Sequence, residues 1–422
     1  MTSLLLLRSV WFGLLLILPL ISSARAQDAA LGTDVDGLVA EARRLSPDLG
    51  AAALQAEAAL ARAQGAGTLP DPTFRLQLKD IDRARASVEP TRVNRIDYTV
   101  EQEFPLWGKR GLAHSVAGAN AAQIVASRDQ TELELVAAVK AAYGDYYGAY
   151  EASRITTEIK QTLDLMAQVA QQRYEQGLGS QQDAILANVE AAHLQTELLR
   201  RETDQRRAAA RLNALLNRPI NSSFAAPGLL PAPPPAETLV LPALVSRLES
   251  ANPMLKAQDA AIAAASGTQS LARKSWYPDV AVGLSVVDQN RRWQGYEAMV
   301  SVKIPLNGTL RRAEISAATS ELAAARNRRE GLLARSREQL EAAYWDFEEA
   351  SRIAVILHET HIPQTELAMK SAATAYQQNR IDFLTLLEAQ RRALQNRLEH
   401  LTFLVNQNRA LAQIEKLVGG TL

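Results

Sequence analysis

Two histidines, His358 and His361, stand three positions apart in a stretch that we expect to be helical. Residues with this spacing share one face of an α-helix, and imidazole nitrogens bind zinc and related ions, so the pair could bind a metal. No third ligand is evident in the sequence, which favours two surface histidines over a metal site. The remaining histidines are isolated, and surface or packing positions are expected for them: His114, His193 and His400.

No motif in the sequence indicates catalysis, and no cofactor is expected. There is no phosphate-binding loop, no G-x-S-x-G, no H-E-x-x-H and no cysteine. Tyr143-Gly144-Asp145-Tyr146 returns as Tyr344-Trp345-Asp346-Phe347, and a carboxylate that is placed twice indicates packing or helix–helix hydrogen bonding, not a unique active site. Lys and Arg total 46 and so do Asp and Glu, so a nucleic-acid partner is not expected.

The sequence contains an internal duplication. The matching segments keep the same order and an offset of about 200 residues, which chance matches would not do. They include Ser46-Pro47-Asp48-Leu49 with Asn252-Pro253-Met254-Leu255, Phe104-Pro105-Leu106 with Ile304-Pro305-Leu306, Glu151 to Ile155 with Glu349 to Ile353, and Tyr174-Glu175-Gln176-Gly177 with Tyr376-Gln377-Gln378-Asn379.

The boundaries follow from composition. Arg8, the apolar run from Val10 to Ile21 and the sequence Ala24-Arg25-Ala26 predict a cleavable signal peptide over residues 1–26. The first repeat then covers residues 27–218, a proline-rich and semi-rigid linker covers 219–242, and the second repeat covers 243–422. Because there is no cysteine, a lipid anchor is not expected.

Each repeat is predicted to contain a helix, two strands and a long helical hairpin. Residues alternate between apolar and polar along Phe74–Lys79, Ile96–Glu101, Val280–Val286 and Tyr296–Val302, which is typical of strands with one apolar face. After Pro105 and after Pro305, apolar residues recur with the spacing of an amphipathic α-helix. Breaks are expected at residues 177–180 and 379–382, where Gly or Asn can end one helix and Ser180 or Asp382 can cap the next. At about 1.5 Å per residue, the first arm of such a hairpin is a rod roughly 100 Å long.

Strands of this length suit an outer membrane, which a tilted strand of about 9–11 residues can cross. Lipid leaves no partner for unpaired backbone groups, so strands in a membrane must form a closed barrel. Four strands cannot close, since about eight are needed, so the barrel would have to be shared between subunits. Three copies would supply twelve strands. Two soluble hairpins remain the alternative from the pattern alone.

The duplication, the Ser-Pro and Asn-Pro helix starts, the strand-ending Phe104-Pro105-Leu106 and Ile304-Pro305-Leu306, and the two Tyr turns resemble the TolC-type outer-membrane efflux family. The resemblance covers about residues 34–418. It implies a mostly α fold, with long hairpins that form an α-barrel and four strands per chain in a shared twelve-stranded β-barrel. It also implies a homotrimer in outer-membrane lipid that works with a periplasmic adaptor and an inner-membrane pump. The segment from Glu103 to Arg110 resembles the junction in members that serve heavy-metal pumps.

The resemblance also suggests where a gate would lie, since the family's tunnel narrows at the periplasmic tip. Tyr376 matches the turn tyrosine, Glu388 matches a lumen acid, and Thr385 stands where another acid often occurs. Asp183 is the first-copy equivalent of Thr385, and Arg380 and Asp382 flank the turn. A threefold ring of carboxylates would select cations, and Arg or Tyr partners could lock it shut. The alternative is that these charges are solvated surface groups.

The free ends of the hairpins are the expected adaptor contacts. They are the residues of the two turns: Gly177, Leu178, Gly179, Ser180, Asn379, Arg380, Ile381 and Asp382. The expected function is therefore a passive exit duct of a tripartite efflux pump or a type I secretion-like system, with metal cations and organic compounds both open as substrates. The competing hypothesis is a soluble periplasmic coiled-coil adaptor or scaffold, which would not duplicate strand pairs of membrane length.

Overall fold

The computed structural model describes residues 31–79 and 93–422, so the predicted signal peptide lies outside the described residues. The chain is mostly helical and has one small antiparallel sheet. The helices are α1 (Val35–Leu45), α2 (Pro47–Gly65), α3 (Lys109–Glu175), α4 (Gln181–Leu215), α5 (Leu241–Ala251), α6 (Pro253–Lys274), α7 (Gly308–Ile356), α8 (Ile362–Gln377) and α9 (Phe383–Val418). The strands are β1 (Thr73–Lys79), β2 (Arg95–Phe104), β3 (Asp279–Gln289) and β4 (Arg292–Lys303). Within the described ranges, no helix is both long and apolar enough to cross a membrane.

The two copies begin in the same way, with a short helix, a proline and a second helix. Ser46 and Asn252 cap the second helix through side-chain oxygens that accept from Leu49 N at 3.3 Å and Leu255 N at 3.1 Å. The following proline occupies the first helical position, where a missing N–H costs nothing. Asn252 is buried and also donates to Leu417 O at 2.8 Å, so in the second copy the cap ties the start of the repeat to its end.

The strands form one sheet in the order β1-β2-β3-β4, and all neighbours are antiparallel. The central pair, β2 with β3, joins the two copies, and Tyr98 lies opposite Val286. The predicted strand positions are therefore confirmed. The sheet has two open edges, β1 and β4.

The helices pack around α3, which contacts α4, α6 and α9. Two equivalent apolar clusters hold the middle of the helical layer, one around Tyr143 and Leu212 and the other around Phe347 and Ile414. The segment 219–242 is not free of the helices, since Phe224 and Leu230 pack against the first cluster. Leu239, near the end of the linker, is buried in the second cluster, so the linker is fixed to both repeats.

The second hairpin contains an element that the sequence did not reveal, a π-turn over Leu357–His361. The N–H of Ile362 donates to Leu357 O, five residues back, so this turn contains one residue more than an α-turn. Pro363 follows directly, and its ring would clash with the carbonyl four residues earlier in a plain α-helix. The wider turn accommodates both the extra residue and the proline.

The extra residue is also visible in the repeat. Phe347 lies 201 positions after Tyr146, whereas Tyr376 lies 202 positions after Tyr174. The buried residues Val139 and Leu340 keep the offset of 201 as well. Glu151 to Ile155 and Glu349 to Ile353 match at an offset of 198 instead, and their structural equivalence stays a prediction.

Candidate functional site

Both predicted hairpin turns are confirmed. Gly177 and Asn379 adopt left-handed conformations, with φ of 73° and 61°. Ser180 Oγ then accepts from Asp183 N at 3.1 Å, and Asp382 Oδ1 accepts from Thr385 N at 2.9 Å, which starts the return helices. Thr385 also donates its hydroxyl to Asp382, and these hydrogen bonds hold the pKa of Asp382 below its usual value.

The two hairpins meet at their tips in one apolar cluster. It combines side chains of α3, α4, α8 and α9: Ile159, Leu163, Ala170, Ala187, Leu194, Tyr376, Phe383, Leu386 and Leu387. Tyr376 is only 4% exposed, and its ring meets that of Phe383 at 5.6 Å between centroids, with the planes 68° apart. Side chains of all four helices therefore meet in one apolar cluster at this end of the chain.

Arg173, near the end of α3, links the first hairpin to the second. Its guanidinium lies over the Tyr376 ring at 4.8 Å, and Nη1 donates to Tyr376 O at 2.5 Å. A second nitrogen donates to Leu178 O in the first turn at 3.4 Å. Sequence analysis missed this residue. The one available signal was its place beside Tyr174, where the second copy has the uncharged Ala375.

The hydroxyl of Tyr376 is buried and makes no hydrogen bond within the described part of the chain. Burial raises the pKa of Tyr376, the nearby charge of Asp183 raises it further, and Arg173 opposes this. Asp183 therefore lies close to the contact between the hairpins. An unpaired buried hydroxyl costs about 1–3 kcal/mol, so the contact is held by ring packing and by Arg173, against this penalty.

The other predicted gate residues are at or near the turn. Arg380, Asp382, Thr385 and Glu388 are exposed, and Asp183 is half-buried. Of the predicted set, Asp382 and Thr385 are hydrogen-bonded to each other, and the charge of Asp183 acts on the buried Tyr376.

A second ionic contact joins the hairpins farther from the tip. Glu190 on α4 is 5% exposed. Its carboxylate accepts hydrogen bonds from two nitrogens of Arg391 on α9, one of them at 3.0 Å. Arg391 itself is largely exposed, so solvent screens part of the attraction. This pair was also missed, because nothing in the local sequence connects residues on different hairpins.

The repeated aspartates behave differently. The carboxylate of Asp145 accepts hydrogen bonds from Arg211 at 3.1 Å and from Arg409 at 2.6 Å. These bonds link α3, α4 and α9, in line with the helix–helix hydrogen bonding that the sequence suggested. Asp346 has no such ion pair among the described residues.

The histidines are arranged differently from the sequence expectation. His358 and His361 both lie in the π-turn, where the three-residue spacing of an α-helix no longer places two side chains on one face. His358 instead faces His400 of α9, with ring centroids 5.4 Å apart. His400 thus takes a packing position, as expected from the sequence, although its partner His358 was not foreseen. Burial, together with the neighbouring His358, lowers the pKa of His400. The described residues contain no group of three or more His, Asp or Glu side chains that could hold a metal ion.

The sheet has two unlike faces. One face is apolar and exposed: Phe74, Leu76, Val100, Val282, Leu284, Tyr296, Val300 and Val302. The opposite face is polar and more buried. Asp97, at 2% exposure, pairs with Arg95 at 2.8 Å and Lys79 at 2.6 Å, and Thr99 and Ser285 share a hydrogen bond of 2.7 Å. A sheet in water normally buries its apolar face, so this sheet is inverted.

Aromatic side chains lie at both ends of the sheet. Trp293 and Tyr296 meet near the hairpin between β3 and β4, with centroids 6.1 Å apart. Trp107 and Tyr277 meet at the opposite end at 5.4 Å, and Trp107 Nε1 donates to Pro278 O at 2.7 Å. An exposed apolar band between two aromatic borders is the pattern of strands that face lipid.

Comparison with known proteins gives one family. The outer membrane efflux protein family matches residues 38–218 and 244–420. The outer-membrane channel OprN is 21% identical with a TM-score of 0.80, and the match covers 92% of this chain and 90% of that one. The outer membrane protein VceC from Vibrio cholerae is 18% identical with a TM-score of 0.78, over 92% and 96%. The open-state MtrE outer membrane channel of Neisseria gonorrhoeae is 19% identical with a TM-score of 0.70, over 95% and 93%. At these identities the structures establish a shared fold. No curated protein sequence matches the chain.

Proposed function

Because the chain belongs to the outer membrane efflux protein family, we propose that it is the exit duct of a tripartite efflux pump or a type I secretion-like system. Three copies form one channel, with twelve strands in the outer membrane and a helical tunnel in the periplasm. The channel passively conducts substrate that an inner-membrane transporter delivers through a periplasmic adaptor.

The inverted sheet is the observation that carries this proposal. β3 and β4 have 11 and 12 residues. At about 3.4 Å per residue and a tilt near 40°, such strands rise roughly 28–31 Å, which suits an apolar band about 25 Å tall. The exposed apolar face then meets lipid, and the polar face with Asp97 lines the lumen. Four strands with two open edges cannot exist alone in lipid, which supports closure by further copies.

The packed hairpin tips support a closed periplasmic end. Tyr376 and Arg173 hold the second hairpin against the first, and opening requires that these contacts separate. We place the constriction at this end, with Asp183 and Glu388 contributing carboxylates and with Arg380, Asp382 and Thr385 around the turn. In a trimer each carboxylate is repeated three times, which favours cations.

Recordings of single channels in planar bilayers test this placement. The Glu388→Ala and Asp183→Ala variants are expected to lose cation selectivity, since each removes three negative charges from a narrow ring. Glu237→Ala, which makes the same charge change in the linker, is the matched control and should behave as the unmodified channel. Unchanged selectivity and conductance in both tip variants would count against a carboxylate constriction.

We place the adaptor contact at the exposed turns. Leu178 is 59% exposed at the end of the first hairpin, and Arg380 is exposed at the end of the second. A photo-crosslinker at position 178 or 381 is expected to capture the adaptor in cells that express the complete pump. Position 229, where Leu229 is 86% exposed on the linker, serves as the control. If position 229 captures the adaptor and the turns do not, the contact lies elsewhere.

The substrate class follows from the pump that the duct serves, and both metal cations and organic compounds remain proposals. The segment from Glu103 to Arg110, which resembles heavy-metal members, also has a structural role here. Lys109 Nζ bonds Asp279 at 2.8 Å, which joins the start of α3 to β3. That role explains the segment without a particular substrate.

A further inference from the structure

We propose that Asp346 on α7 binds Arg207 on α4 of the neighbouring subunit, so that this ion pair joins the subunits at the middle of the helical layer. The inference rests on the proposed assembly of the channel from several copies, and it names the contact between them. Asp346 is exposed and has no ion pair within the described part of the chain, whereas its counterpart Asp145 has two. Contacts within one chain therefore do not explain why the aspartate is repeated.

The order of the helices leaves two edges in the helical layer. α3 lies between α4 and α9, and α9 in turn packs against α7. The layer thus runs α4-α3-α9-α7, just as the sheet runs β1-β2-β3-β4. When identical subunits close into a ring, each edge meets the opposite edge of the next subunit, so α7 meets α4.

The internal duplication indicates the form of this contact. Within one chain, α3 begins the first hairpin and packs against α9, which ends the second. Between subunits, α7 begins the second hairpin and meets α4, which ends the first, so the duplication relates the two contacts. Residues of α3 and α7 correspond at an offset of 201, as Tyr146 and Phe347 do. Residues of α4 and α9 correspond at an offset of 202, as the fully buried Leu212 and Ile414 do.

These offsets carry an observed ion pair across to the subunit boundary. Asp145 of α3 accepts a hydrogen bond from Arg409 of α9 at 2.6 Å. The corresponding residues are Asp346 and Arg207, so both charges are preserved. The Arg207 side chain is 77% exposed, and within its own helix it makes a 3.4 Å contact with Asp204. A side chain this exposed is free to turn toward a second carboxylate.

The residues one position earlier support the same pairing. Gly144 lies directly against the Asn408 side chain in the contact between α3 and α9. The corresponding residues are Trp345, which is 55% exposed, and the exposed Arg206. An arginine over the face of a tryptophan is attracted by the ring, and the attraction grows when both are removed from water. The proposed contact therefore covers an exposed tryptophan and gives it a cation.

A disulfide between subunits tests the register. A Cβ atom built on Gly148 would lie 3.9 Å from the Cβ of Val405, which is within the range of about 3.5–4.5 Å for a disulfide. The corresponding residues are Glu349 and Thr203. Because the chain has no cysteine, Glu349→Cys/Thr203→Cys introduces the only two thiols. Mild oxidation of outer membranes is expected to give covalent dimers and trimers on a non-reducing gel.

Glu349→Cys/Thr196→Cys is the matched control, because Thr196 is an exposed threonine on the same face of α4, about 10 Å farther along the helix. It should not form the disulfide. A trimer that is linked through position 196, or through neither position, would show that α7 and α4 do not meet in this register. That result would overturn the inference and leave the proposed channel intact. Recovery of a soluble monomer would contradict the proposed function itself.

Charge reversal tests the ion pair. Asp346→Arg and Arg207→Asp each place like charges at every junction, and three junctions repeat the loss, so we expect about a tenfold rise in the dissociation of the trimer in dilute detergent. Light scattering measures the fraction of monomer. The combined Asp346→Arg/Arg207→Asp variant should return to within about twofold of the unmodified trimer. Asp346→Arg/Arg200→Asp, with the second change two turns away on the same face of α4, should not recover. Equal dissociation of these two combined variants would overturn the pairing.

Discussion

A channel in which Arg173 and Tyr376 are both replaced by alanine is expected to show a much larger single-channel conductance than the unmodified channel. The ring of Tyr376, on the second hairpin, is buried between the two hairpins of the chain. Arg173, on the first hairpin of the same chain, lies over this ring. Removing a large buried aromatic side chain costs about 3–5 kcal/mol. Since each 1.4 kcal/mol is tenfold in an equilibrium, the closed arrangement loses about two to three orders of magnitude in relative population. Planar-bilayer recording of both proteins measures the difference.

Tyr376→Phe is the informative control. It keeps the ring and the contact with Phe383, and it removes only a buried hydroxyl that lacks a hydrogen bond within the described chain. The closed state should therefore be as stable as before or slightly more stable. A Tyr376→Phe channel that opens as far as the double alanine variant would show that the hydroxyl, through a partner such as Asp183, holds the tip shut. A double variant with normal conductance would show that this contact is not the gate.

Substitution of Val300 by arginine is expected to prevent stable assembly in the outer membrane. Val300 is 68% exposed in the middle of the apolar face. If that face meets lipid, a charge near the bilayer midplane costs about 2–4 kcal/mol per chain, and three copies repeat the cost. The measurement is the yield of trimer extracted from outer membranes, followed by denaturant unfolding in lipid vesicles.

Ser301→Arg is the matched control, since the neighbouring residue on a strand points to the opposite face. There the new charge lies near Glu101 and Glu103 on the polar side, and assembly should be normal. A soluble scaffold predicts a different result for Val300→Arg. An exposed surface substitution usually changes stability by no more than about 0.5 kcal/mol, so that variant would be recovered in the periplasm as readily as the unmodified chain.

Most of the architecture could be predicted because local chemistry specifies it. Ser46-Pro47 and Asn252-Pro253 start helices, Gly177 and Asn379 end them, and period-two alternation marks the strands. These signals act over a few residues and do not depend on distant partners.

The contacts between hairpins could not be predicted in the same way. Arg173 binds a residue 203 positions away, and Glu190 binds one 201 positions away, so each pair exists only once two long rods lie side by side. The pairing of His358 with His400 has the same origin. Periodicity indicates which face of a helix is apolar, but it does not indicate which residue of another hairpin will lie opposite.

The π-turn preserves the orientation of everything beyond it. In a plain α-helix, one added residue would rotate all later side chains by about 100°, and Tyr376 would then point away from the first hairpin. Because the extra residue is confined to Leu357–His361, it lengthens the second hairpin by one residue. It does not change which face of the hairpin tip lies against the first hairpin. The two repeats thus differ by an insertion of one residue, which is accommodated within a single turn of the second hairpin. When the first repeat between Tyr146 and Tyr174 is aligned with the second repeat, the gap should therefore fall opposite this turn. Deletion of one residue within Leu357–His361 should also be tolerated better than deletion of one residue elsewhere in the second hairpin.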